Sequence, residues 1–358
     1  MSILKRIKGY CLRKFTRKES SGFDVKQSRQ VLFFRYDRIG DMVITTPVFR
    51  ELKQAYPDIE ITVLASKVNQ EVLANNPYVD KIYINHKNNF LSDLPIVFKL
   101  RRQMFDVCVE FDHSVVPHAI WRLIIIKPKK VISVVKDGRY GVKGNELELY
   151  DYYTEKKQGV HFKDIWLATL TPFAIKAIPA SYDLFCTNEQ KSRAKCFLKK
   201  YNDKLLVAIN LEGAVKGKRI KFDEFYAISR ALHDFKKDIQ VVVISTPKKH
   251  QDTKEKLSQM ALRNVVMGYQ TKCILDVAAL IECVDVVITP DTSIVHIASA
   301  FNKPIVSIHE NNQDSFQLFK PISKTTRTVF SPNKNTLDGY NVEKVIAYST
   351  ELIKDLNG

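Results

Sequence analysis

The sequence predicts an α/β chain built from two doubly wound, parallel-sheet domains. Short apolar runs rich in β-branched residues alternate with segments of helical period, the pattern of strand–helix–strand crossovers. The alternation occurs twice, on either side of "TPFAIKAIPASYDLF", a stretch with two prolines and no clear period that reads as a linker. A chain of 358 residues with 45% hydrophobic content is also long for one compact core, so two are the natural expectation.

The elements follow in order. Residues 1–30 form a basic amphipathic N-terminal segment. Lys5, Arg6, Lys8, Arg13, Lys14, Arg17 and Lys18 precede any acidic residue, and Ile3, Ile7, Cys11 and Phe15 recur every fourth position with Leu4 alongside. On a helix these apolar residues share a face. The segment therefore reads either as a helix lying on an anionic bilayer surface or as a solvated basic tail loosened by Gly9. The first domain, 31–175, takes strands at 31–35, 59–64, 81–84, 106–111 and 130–134. A less regular stretch, "KDGRYGVKGNELELYDYYTEKKQ", and a helical pattern over 161–170 complete it. The second domain, 183–335, takes strands at 205–210, 239–244, 265–267, 284–289 and 304–308. Residues 336–358 read as a closing helix, "VEKVIAYSTELIKDL". Both halves are Rossmann-like, expected to face each other across a cleft.

Composition excludes several classes. A net charge of +17 calls for an anionic partner. No helix-turn-helix, zinc-finger or aromatic-basic RNA signature accompanies that charge, so no nucleic-acid partner is expected. The first strand is followed by R-Y-D-R-I-G-D and not by G-x-G-x-x-G, which argues against a dinucleotide oxidoreductase. Six scattered cysteines with no C-x-x-C pair read as reduced thiols of a cytosolic protein, with no metal site. No signal-like or membrane-spanning run is present, so the chain is expected to be neither secreted nor integral to a membrane.

Two constellations carry chemistry. In open parallel sheets ligands bind at the carboxyl ends of the strands. "RYDRIGD" lies there after the first strand and turns Arg35, Asp37, Arg38 and Asp41 towards the ligand. Asp41 reads in two ways, as a first-turn cap of the following helix or as a general base, a carboxylate kept ionised by flanking arginines. In the second half, "DVVITPDTSIVHIASAFNKPIVSI" ends a strand in Thr-Pro and opens a helix at Asp291, Thr292 and Ser293. Free amides and two hydroxyls at a helix start suit a phosphate or diphosphate; capping by Asp291 is the plain alternative. His296 lies one turn further along the same face, as a ligand contact or a hydrogen-bonded core histidine.

These two segments, in this order and at this separation, resemble glycosyltransferase family 9, the ADP-heptose:lipopolysaccharide heptosyltransferases, over residues 31–330. The resemblance implies a GT-B fold, with acceptor bound by the first domain, nucleotide sugar by the second, and the closing helix 336–358 packing back on the first domain. It also implies an inverting, metal-independent transfer with no cofactor beyond the donor, ADP-heptose. Asp41 matches the family's proposed catalytic base, and Asp291, Thr292 and His296 match its Asp-Thr-Gly-x-x-His motif at the donor diphosphate. "GKRIKFDEF" resembles the Lys-Arg-Trp-Pro segment and puts Lys218 at the phosphate-binding lysine; by itself Lys218 would be a solvated loop charge. The sequence departs from the family at Ser293, which replaces Gly, and at Ile220 and Lys221, which replace Trp-Pro. It departs again at "SIHENNQD", which lacks Gly-Pro-Thr.

The expected mechanism has Asp41 deprotonate an acceptor hydroxyl while Lys218 and the Thr292–Ser293 amides and hydroxyls receive the leaving diphosphate. No Asp-x-Asp occurs in the sequence, in keeping with that scheme. The acceptor is expected to be the anionic core of lipopolysaccharide, bound by Arg35, Arg38 and Arg122, since arginines suit carboxylate and phosphate forks. A basic N-terminus fits a cytoplasmic enzyme held peripherally on the anionic inner face of the bacterial inner membrane.

Overall fold

A computed structural model describes residues 3–16, 21–85, 90–155, 157–176, 181–213 and 217–356. The chain divides into two units, Met1–Ala180 and Ser181–Gly358.

The first unit holds a six-stranded parallel sheet of β1 (Gln30–Arg35), β2 (Glu60–Ser66), β3 (Lys81–Asn85), β4 (Val107–Glu110), β5 (Lys130–Val134) and β6 (Tyr152–Thr154), in the order β3-β2-β1-β4-β5-β6. The middle of central β1, residues 31–34, is apolar because helices cover both faces: Val31, Leu32 and Phe33 are fully buried. The strand order reverses between β1 and β4, so their carboxyl ends flank the crevice where such sheets bind ligands.

The helix Ile39–Ala55 leaves this crevice and packs Val43, Val48 and Phe49 into the core, with Phe49 edge-on to Phe33 at 5.1 Å. Pro47 lies inside it and cannot donate to the carbonyl of Val43. The Thr46 hydroxyl does so in its place, at 2.8 Å, and the helix continues.

The N-terminal segment forms the helix Ile3–Phe15. Its packed face is Gly9, Leu12 and Thr16, with Leu12 set among Val142 and Leu147 of the first unit's core. Of the expected apolar stripe, Ile7 is 55% exposed and Cys11 half-buried, and Tyr10, outside the stripe, is 63% exposed. The side chains of Ile3, Leu4, Lys5, Arg6, Lys8 and Phe15, and the residues Arg17 and Lys18, lie outside the described ones. Among the described residues no helix is long and apolar enough to cross a membrane.

The second unit repeats the architecture with β7 (Leu205–Asn210), β8 (Ile239–Ile244), β9 (Val265–Met267), β10 (Val286–Pro290), β11 (Ile305–His309) and β12 (Thr326–Phe330), in the order β12-β11-β10-β7-β8-β9, all parallel. Here the reversal falls between β10 and β7. The closing helix Val342–Asp355 buries Val345, Leu352 and Ile353 in this unit's core with Ile228 and Leu232 of the helix Phe222–Phe235. The stretch read as a linker begins inside the first unit: a 3₁₀ helix, Ala168–Phe173, buries Leu170 and Phe173.

Candidate active site

At the carboxyl edge of the second sheet, Asn210 ends β7 and ties the neighbouring strand end together. Its Nδ2 donates to the hydroxyls of Thr289 at 3.0 Å and Thr292 at 3.2 Å. Thr292, and not Asp291, caps the helix Ser293–Ala300 by accepting from the Ile294 amide at 3.2 Å. Asp291 is thereby free for other work. It accepts from Lys218 Nζ at 3.3 Å and lies 3.8 Å from His309 Nδ1. Burial raises its proton affinity, but His309, Lys218 and His296 outweigh that, and its pKa is lowered.

Lys218 also donates to Glu310 Oε1 at 2.5 Å, so one ammonium holds two carboxylates. Gly217 before it has φ +91°, a left-handed turn that a side chain would strain. His296 is 5% exposed, and Tyr182 packs against its ring. Burial lowers its pKa to about 4 against the pull of Asp291, so near neutrality it offers a hydrogen bond and not a charge. Ser293 does not have a positive φ, which explains why serine fits where the family has glycine.

In the first unit, Asp41 is the third residue of the helix Ile39–Ala55. Its Oδ2 accepts from the Arg38 amide at 3.3 Å, a capping contact, while Oδ1 has no hydrogen-bond partner among the described residues. Burial raises its pKa; Arg35, the Arg38 amide and the Arg38 side chain oppose the shift without cancelling it. The expectation of a carboxylate made easily ionised by arginines is thus reversed in sign.

Arg35 is itself withdrawn into the unit. Its side chain is 2% exposed, donating from Nε to Thr45 at 2.9 Å and from Nη1 to Asp37 at 2.9 Å, with its guanidinium 3.7 Å from the Trp166 ring. It braces the loop after β1 and is not presented to an acceptor. Arg122 is likewise 2% exposed, ion-paired with Asp93 and donating to Asn85 at 3.0 Å. Two of the three arginines expected to bind acceptor are therefore internal, and Arg38 alone of the three is exposed.

These two edges have the form expected of a sugar-nucleotide transferase, and the comparisons decide the family. The profile of glycosyltransferase family 9 (heptosyltransferase) matches residues 99–345. The chain belongs to glycosyltransferase family 9. It is 24% identical over 289 residues to a lipopolysaccharide heptosyltransferase 3 of Escherichia coli, covering 75% of this chain and 80% of that one. The crystal structure of a family 9 glycosyltransferase from Veillonella parvula superposes with a TM-score of 0.75 at 16% identity, covering 94% of this chain and 100% of that one. The E. coli ADP-heptose lipopolysaccharide heptosyltransferase II superposes at 0.71 and 15% identity, over 92% and 100%. The fold is the GT-B fold of these enzymes, and the chain is a glycosyltransferase.

This family 9 enzyme has further charged groups at the same strand ends that the sequence reading missed. Glu110 ends β4 fully buried, paired with Lys136 and accepting from the Asp112 amide at 2.7 Å. Asp112 in turn accepts from the Tyr36 hydroxyl at 3.1 Å, and its pKa is pushed up to about 7 by burial and the charge of Glu110. In the second unit, His309 and Glu310 were noticed only as the absence of Gly-Pro-Thr. An acidic residue directly after a core strand was the available signal.

Proposed function

We propose that this glycosyltransferase moves a heptose from ADP-heptose to the inner core of lipopolysaccharide or lipooligosaccharide, with inversion and without a metal ion. The family's heptosyltransferase description and the lipopolysaccharide heptosyltransferases among its relatives support the sugar and the acceptor class.

The state of Asp41 carries the mechanism: one oxygen is anchored by the helix start, the other has no hydrogen-bond partner among the described residues, and the proton affinity is above that of an ordinary carboxyl. A base of this kind is better matched to a hydroxyl proton than an unperturbed aspartate. Asp41 takes that proton as the acceptor oxygen bonds to the anomeric carbon. The bond from that carbon to the diphosphate oxygen breaks on the opposite face, and the configuration inverts. Lys218 and the amides opening the helix Ser293–Ala300 receive the charge that develops on the departing ADP.

Arg38 is the exposed arginine available to the anionic acceptor. The helix Ile3–Phe15, with Ile7 and Tyr10 exposed beside Arg13 and Lys14, would hold the enzyme at the anionic inner face of the membrane. A second reading, transfer from another nucleotide sugar, is favoured by Ile220, Lys221, His309 and Glu310, which stand where the family has Trp-Pro and Gly-Pro-Thr.

Calorimetric titration of ADP, UDP and GDP into wild type and Lys218→Ala, with and without EDTA, tests the donor. Selective ADP binding that survives EDTA and weakens at least tenfold in the variant is expected, as for loss of a charge-assisted bond worth about 1.5–3 kcal/mol. Preference for UDP or GDP would replace the donor, and binding that disappears in EDTA would refute metal independence.

A further inference from the structure

The donor edge of the second unit carries a carboxylate that a diphosphate site does not require. Glu310, the residue after β11, is 12% exposed and bonds to Lys218 more closely than Asp291 does, 2.5 Å against 3.3 Å. Its other oxygen, Oε2, is buried without a hydrogen-bond partner among the described residues, as is Nε2 of the adjacent His309, itself 3% exposed. With both histidines held neutral by burial, one ammonium faces two carboxylates and the trio has a formal charge of −1.

An arriving diphosphate adds more negative charge and only acceptor atoms. It competes for Lys218 with whichever carboxylate is less firmly kept. Asp291 has a second neighbour besides Lys218, the His309 ring with Nδ1 3.8 Å away. Lys218 is the single hydrogen-bond partner of the Glu310 side chain among the described residues. Glu310 is therefore the group that is displaced, and a buried carboxylate oxygen lacking a donor is costly until something supplies one. A phosphate cannot supply it. A sugar hydroxyl can.

We propose that Glu310 exchanges Lys218 for the transferred sugar: as the diphosphate engages the ammonium, the Glu310 carboxylate turns to accept a hydroxyl of the glycosyl group and selects among donors by it. The proposal rests on the reading of Lys218 as the diphosphate partner. It makes Glu310 a specificity residue for hydroxyl-bearing glycosyl groups, and it gives a role to an acidic residue in "SIHENNQD", the stretch that lacks the family's Gly-Pro-Thr.

The exchange has a signature that a bracing role lacks, because the bare nucleotide and its sugar conjugate respond in opposite directions. Calorimetry would compare wild type, Glu310→Gln and Glu310→Ala, using the nucleoside diphosphate that wild type binds and the matching nucleotide sugar, ADP and ADP-heptose first. Removing the competitor should tighten binding of the bare diphosphate roughly threefold to tenfold. Losing the hydroxyl acceptor should weaken binding of the sugar conjugate by about tenfold, more in the alanine variant than in glutamine, which keeps a carbonyl acceptor.

Weakening of both ligands alike would mean that Glu310 only orients Lys218, and tightening of both that it only competes; either result overturns the proposal. If the alanine variant does not fold, as judged by its melting curve, the glutamine variant makes the same comparison. Wild type that binds UDP or GDP but not ADP overturns the donor identity alone, and the Glu310 comparison is then run on that nucleotide and its sugar. Wild type that binds no nucleoside diphosphate overturns the donor site and this proposal with it.

Discussion

Asp41 serves the helix start and the proposed chemistry at once, and the two uses pull on its proton in opposite directions. The Arg38 amide and the Arg35 guanidinium favour the carboxylate, while burial, the largest influence, favours the acid and wins. For catalysis, the base works deprotonated, so the rate should fall as pH drops through the raised pKa. For stability, the folded state binds this proton more tightly than the unfolded chain does. The resulting stabilisation is complete below the ordinary aspartate pKa and is lost as pH rises through the raised folded value. Asp41→Asn keeps an acceptor for the Arg38 amide and removes the buried charge. It is expected to lose ~10²–10⁴-fold in kcat yet melt higher than wild type near neutral pH, with the gain shrinking in acid. Paired thermal melts at neutral and acidic pH check this, and a variant that melts lower at neutral pH would show that the charge is a net stabiliser. The place of Asp41 was legible in "RYDRIGD", but the direction of its shift was not. That direction depends on the depth of the site, which outweighs Arg35 and is not encoded in neighbouring residues. Arg122 was misread for the same reason: its partner Asp93 belongs to a different helix.

At the level of elements, ten strands were legible because each is an apolar run with a helical pattern beside it. β6 and β12 were not. Both are edge strands, Tyr-Tyr-Thr and Thr-Arg-Thr-Val-Phe, mostly half-exposed and interrupted by polar residues, so they carry no core signal. The helix Ile3–Phe15 was legible as a helix, but its packing on the first unit was not, because Gly9 read as a weakness. A Cβ on Gly9 would lie 2.7 Å from the Tyr140 carbonyl oxygen and 3.3 Å from Val142 Cγ2. The bare backbone is what lets the helix approach the turn at 138–143, where Arg13 donates to the Gly141 carbonyl at 2.6 Å. Gly→Ala inside a helix ordinarily stabilises by about 0.5–1 kcal/mol. Here the sign should invert, with Gly9→Ala loosening the helix from the unit. Hydrogen exchange over residues 3–16 and the rate of tryptic cleavage there should both rise in the variant; slower exchange would mean that propensity outweighs the contact.

The charge of the whole molecule is unevenly shared. Residues 1–180 hold 30 Lys and Arg against 19 Asp and Glu, and residues 181–358 hold 26 against 20. Most of the excess therefore lies in the first unit, and part of that unit's basic complement is spent internally on Arg35, Arg122 and Lys136. What remains at the surface includes Arg13, Lys14, Arg139 and Lys143, carried by the N-terminal helix and the turn packed against it, with Ile7 and Tyr10 exposed on the same helix. Basic groups near an anionic bilayer each contribute about 1 kcal/mol, and the attraction is screened as the Debye length falls from about 10 Å at 0.1 M salt to about 3 Å at 1 M. Vesicles containing phosphatidylglycerol should therefore sediment with the protein at low salt and release it at high salt, while neutral phosphatidylcholine vesicles bind it weakly. Replacing both Ile7 and Tyr10 by Ser removes the apolar insertion but not the charge. The double variant should bind anionic vesicles more weakly than wild type and keep its kcat on a soluble acceptor fragment, because neither side chain belongs to the Asp41 loop or the Lys218 cluster. Equal binding to neutral and anionic vesicles would rule out charge as the source of attraction, and an unchanged partition in the double variant would remove this helix from the membrane contact.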